Sequence, residues 1–171
     1  MVRPAAPRLR ALAVSLALGL CASGAAAHQA NRVLPIAGVN LPPTVHITCP
    51  TPSALLEFVS LPSLRVHWEG HDPDGSGAGL PVQYKFILLG PGSEFPVPLA
   101  LANPDSVRRF YVGHPLGPWA GWDSTGSGDP SAAFSNLIPN ESYLFVVIAF
   151  DQAGAYSPVF SLSSNMLRFT V

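Results

Sequence analysis

The densest run of side chains able to do chemistry is "HWEGHDPDG", which sets His67, Glu69, His71, Asp72 and Asp74 within nine residues. Histidines and carboxylates are zinc ligands. On an extended chain, however, His67 and His71 stand about 13 Å apart, too far for one tetrahedral ion. His46, on a neighbouring strand, is the remaining candidate to approach His67. The expectation is a polar sheet face and no metal. "DPDGSG" (Asp72 to Gly77) matches the opening of a calcium loop. That loop needs further acidic ligands, and no acid follows Asp74 until Glu94. Asp-Pro and Asp-Gly are also ordinary turn dipeptides, so a turn is expected here.

A second candidate is "GPWAGWDSTGSGD", where Trp119 and Trp122 sit in a glycine-rich stretch beside Asp123. Exposed indoles next to a carboxylate can stack on sugar rings; buried ones fill a core. Asn140, Glu141 and Ser142 form a glycosylation sequon in a turn. There is no G-x-S-x-G, no H-E-x-x-H and no glycine-rich phosphate loop. The acids Glu57, Glu69, Glu94 and Glu141 fall on separate segments. Neither an enzyme nor a cofactor is implied.

The chain opens with a basic head (Arg3, Arg8, Arg10), an apolar run, "ALAVSLALGLCA", and the small residues "SGAAA". This order predicts a signal peptide over residues 1–27, cut after Ala27. Ser15 and Gly19 interrupt the run, which is short of the length a membrane span needs. Lipid attachment at Cys21 calls for a small residue before the cysteine, and Leu20 stands there. The product is therefore expected to be secreted or extracytoplasmic, without membrane insertion after cleavage. Removing those three arginines from nine basic residues leaves six against ten acidic ones. That balance offers no electrostatic footprint for nucleic acid. With Cys21 removed, Cys49 stands alone, and a buried small hydrophobe is expected.

Residues 28–43 lack a sustained period and close on two prolines, so they read as a linker or N-terminal arm. Alternation then marks strands in "TVHITCP", "SLRVHWEG", "VQYKFILLG" and "NMLRFTV", while "AAFSNL" leads into a further strand, the continuously apolar run after Tyr143. "SALLEFVSLP" is ambiguous between a helical turn and an extended edge. Residues 91–133 are rich in Pro and Gly and read as irregular, with a short helix starting behind Asn103 or Asp105. Short strands between turn signals, without a long amphipathic helix, predict an all-β sandwich or barrel.

The strand set resembles a fibronectin type III domain over residues 44–171. Trp68 matches the family's core tryptophan in the second strand, and Tyr84 its tyrosine in the third. Leu137, Pro139 and Tyr143 match the leucine, the proline-containing turn and the tyrosine of the corner. The resemblance implies a sandwich with a long insert, 91–133, between the third strand and the strand before the tyrosine corner.

It also implies that Tyr143, Phe145, Val147 and Ala149 face between the sheets. The other side of that strand carries Leu144, Val146, Ile148 and Phe150. Each is worth about 1.5–3 kcal/mol when buried, and such a face needs a cover. Phe95, Phe110, Tyr111, Trp119 and Trp122 of the insert are the expected cover, with a docked protein as the alternative. The functional expectation is an exported, non-enzymatic module for protein–protein interaction or spacing. The alternative is a carbohydrate-binding module using Trp119 and Trp122.

Overall fold

The computed structural model describes residues 39–53, 58–75 and 78–171. The segment read as a signal peptide, Cys21, and the arm up to residue 38 lie outside the described residues. Element order is β1 (Thr44–Cys49), β2 (Phe58–Val59), β3 (Ser63–His71), β4 (Gln83–Leu89), α1 (Val97–Ala102), α2 (Asp105–Val112), β5 (Asp123–Gly126), β6 (Ser131–Ser135), β7 (Ser142–Phe150) and β8 (Met166–Thr170). The strands form two sheets, β1-β3-β6 and β2-β8-β7-β4-β5. Pairing is antiparallel except for the two residues of β2, which run parallel to β8. The fold is an all-β sandwich, and its six main strands fall on the runs read as strands.

The core between the sheets follows from alternation. Val45 and Ile47 of β1, Leu64, Val66 and Trp68 of β3, Tyr84 of β4, and Tyr143, Phe145, Val147 and Ala149 of β7 meet Leu167 and Phe169 of β8. Trp68 is its hub, with ring centroids 5.9 Å from Tyr84 and 5.7 Å from Phe145. Leu137 joins this core. Beside it the Tyr143 hydroxyl accepts the Ile138 amide at 2.9 Å, which fixes the chain where it crosses between sheets.

β7 is buried on its second face as well. Leu144, Val146 and Ile148 enter another core with Leu89, Met166, Phe95, Val97, Ala100, Val107, Tyr111, Trp119, Trp122 and Phe160. Phe150 packs at its margin. The cover is thus the chain itself. It comes chiefly from the insert, and the β7–β8 connection adds Tyr156, Phe160 and Leu162.

Three expectations are corrected. Residues 91–133 are not irregular: they hold α1, α2 and β5, and β5 extends the larger sheet by pairing with β4. α2 is amphipathic, with Val107 and Tyr111 buried one turn apart, a spacing that sets both on one face. Asp105 in its first turn grips Arg108 at 2.7 Å and Arg109 at 3.0 Å. Val82, the first residue of "VQYKFILLG" and read as part of that strand, precedes β4 and is exposed. Cys49 is only partly buried and is disulfide-bonded, not a lone thiol; the expectation came from counting Cys21 out with the leader.

Candidate functional site

Trp119 and Trp122 are 6% and 9% exposed, so their rings are not offered to a sugar. Gly117 and Gly121, both at positive φ, let the chain fold back so that Trp119 lies over the sheet. Trp119 itself has φ 61°, a conformation costly for a bulky side chain. Its amide donates to Tyr111 O at 2.9 Å. Its ring meets Trp122 and Tyr156 edge-on, each at 5.1 Å between centroids, and lies parallel to Phe160 at 6.5 Å. Asp123 is exposed at the start of β5, opposite Phe86. The three residues named for the alternative of sugar contact thus divide into two core rings, which serve as the expected cover of β7, and one surface carboxylate.

The same cover holds a buried histidine. His114 Nδ1 accepts the Leu116 amide at 3.2 Å, so the proton sits on Nε2, which lies 3.0 Å from both oxygens of Glu94. Its ring stacks on Tyr111, with 18° between the planes. Burial, then the charge of Glu94, pushes the Tyr111 phenol up to about 12. These contacts pin α2 and the following loop to Glu94, whose carboxylate reaches the surface while the His114 ring stays buried.

The "HWEGHDPDG" run divides as well. His46 faces Glu69 across the β1–β3 ladder, 3.7 Å away at the surface, and not His67, whose register partner is Cys49. Among the described residues no three His, Cys, Asp or Glu side chains converge as a metal-binding group. Asp72 and Asp74 take part in something else.

β3 ends, β4 begins and β7 ends at one end of the sandwich, where the β5–β6 turn and the chain before β1 also lie. These loops surround a cleft of about 610 Å3, lined by Asn40, Asp72, Asp74, Leu80, Pro81, Val82, Ser127 and Asp151 among others. The loop after β3 closes through Asp72 N donating to Gly79 O at 2.8 Å and Gly75 N donating to Asp72 O at 3.3 Å. Asp74 is held by the Leu41 amide at 2.9 Å. Asp151 accepts Asn40 Nδ2 at 2.7 Å and the Ala155 amide at 2.8 Å.

Asp72 differs from the other two. Only 3% exposed, it has an oxygen, Oδ1, with no hydrogen-bond partner. A buried acceptor left in this state costs about 1–3 kcal/mol. Burial holds the Asp72 carboxyl above the usual carboxylate range, reinforced by hydrogen bonding to Asp74 and by the charges of Asp74 and Asp151. The Leu41 amide holds Asp74 below that range. Among the described residues no lysine, arginine or histidine lines the cleft. The arrangement can therefore hold a group that brings positive charge and hydrogen-bond donors.

Asp72 and Asp74 were singled out from sequence; Asn40 and Asp151 were not. The available signal for Asp151 was its place directly after the longest apolar run, in a Gln-Ala-Gly turn. No protein-family model, curated protein or solved structure matches this chain.

Proposed function

We propose that this chain is an exported, non-enzymatic β-sandwich module, of the fibronectin type III kind, that binds a protein partner through the loops at its acidic end. The observation that carries this reading is that the cover closes the apolar face of β7 from within. Adhesion through that greasy sheet face is not needed, and the cleft between the loops offers a concave surface lined by three carboxylates. Loop ends of sandwiches are recurrent binding surfaces, because a rigid pair of sheets positions them. The family assignment is supported by the strand order and by the Trp68, Tyr84, Leu137 and Tyr143 set within one core. Export is supported by the order of basic, apolar and small segments at residues 1–27.

Photo-crosslinking tests it. A crosslinking side chain is placed at Gln152, beside Asp151 at the cleft, or at Ile138, in the exposed β6–β7 turn at the other end. Each is incubated with the extracytoplasmic fraction of the source cells. A protein adduct from Gln152 and none from Ile138 is expected. Adducts from neither position, or equally from both, contradict the reading.

A further inference from the structure

We propose that the loop-end cleft receives a basic side chain, arginine or lysine, of a protein partner, with Asp72 Oδ1 accepting its N–H groups. This rests on the protein-binding reading above and names what that site recognises. Asp72 Oδ1 is a buried acceptor without a donor in the free protein, whereas buried polar atoms are normally paired. What completes it must carry donors as well as charge, since Asp74 and Asp151 stand beside it and, among the described residues, no basic side chain lines the cleft. Ammonium and guanidinium groups carry both.

The shape of the cleft agrees. At about 610 Å3 it is far larger than a lone ion requires, and lies within the range of pockets that enclose organic groups. Leu80 and Val82, 47% and 49% exposed, stand with Pro81 on the wall of the cleft. Lysine and arginine need such a surface for their methylene stems while the charged head meets the acids. Asp151 and Asp74 are already fixed by Asn40, Ala155 and Leu41, so little ordering is left to the partner.

The test is an amide-shift titration of the full chain with the N-acetyl, N′-methylamide derivatives of arginine, lysine and citrulline, and separately with calcium chloride. The arginine or lysine derivative should move the amides of residues 72–75 and 151–154, with a dissociation constant on the order of a millimolar for so small a probe. Citrulline, uncharged and similar in shape, should not. Asp72→Asn and Asp74→Asn should each weaken binding at least about tenfold, and Glu141→Gln, in the β6–β7 turn, should leave it unchanged. Two variants are used so that a folding defect in one does not decide the outcome.

Equal response to citrulline, no response to either basic probe, or full binding by a folded Asp72→Asn or Asp74→Asn protein overturns the proposal. Calcium moving these amides while the basic probes do not makes the cleft a metal site and also overturns it. A protein adduct at Gln152 without basic-probe binding would sink this inference and leave the protein-binding reading standing. Probe binding with no adduct would sink the reading instead, and with it the partner named here.

Discussion

The indole of Trp119 meets that of Trp122 edge-to-face, with centroids 5.1 Å apart and planes at 74°. Both rings come from one glycine-bearing turn, and both bury against the outward face of β7. Two large aromatics held by each other, Trp119 also by Tyr156 and Trp122 also by Tyr111, are a closure, not a display surface.

Trp119→Ala should therefore act on stability. Removing a ring from this core costs about 3–5 kcal/mol by the usual large-to-small series, and alanine, which keeps the Cβ, does not relieve the positive φ at this position. Chemical denaturation should show a lowered midpoint. A loss below about 1 kcal/mol would mean that the ring is not part of a packed core.

Asn165 tests the other half of the cover. Its amide donates to Val147 O at 3.1 Å and Val159 O at 2.9 Å, and its oxygen accepts the Ser161 amide at 2.9 Å. Asn165→Leu orphans three backbone groups at once and should cost at least about 2 kcal/mol, measured by urea unfolding. A near-neutral result would place those backbone groups in water.

Gly90 reports on the corner. A Cβ there would lie 2.5 Å from the Tyr143 ring, which is stacked on Phe169 and has no room to retreat. Gly90→Ala should cost about 1–3 kcal/mol, and Tyr143→Phe, which loses only the Ile138 hydrogen bond, about 1 kcal/mol. The reverse order of severity would contradict this packing.

The carboxyl of Asp72 is held above its ordinary value of 3.8, mainly by burial. The folded state thus holds this proton more tightly than the unfolded one. Its stabilising contribution is full below that ordinary value and is lost as pH rises through the raised one. Asp74 carries the opposite sign: it is held low, so its contribution is present above 3.8 and lost as pH falls through its depressed value. Asp72→Asn removes the cost of a buried charge and should raise the melting temperature at pH 7 more than at pH 3. An equal shift at both pH values would refute the assignment. Binding of a basic probe should weaken as acid protonates Asp72, with Asp74 and Asp151 facing the same cleft.

Much of the fold was legible because period two is a strong signal where one face is buried, as in "SLRVHWEG". The run after Tyr143 was legible for the opposite reason: with both faces apolar it had to be a covered central strand. The insert was harder. α1 is six residues long with Pro98 in its first turn, and β5 is "DSTG", with no apolar residue to betray a strand. Phe160 and Tyr156 were missed because they sit among Ser and Pro, where composition signals a loop. The cleft was half hidden, since Asn40 and Asp151 are 111 residues apart and only the closed sandwich brings them together.

Binding of an environment-sensitive dye to exposed apolar surface, measured on the folded monomer, tests most directly whether the chain closes its own sheet face. Leu144, Val146 and Ile148 are fully buried, so fluorescence should stay at the level of a compact native protein. Strong dye binding by a monomer that retains its cooperative unfolding would show that face open to solvent and contradict the self-closed sandwich.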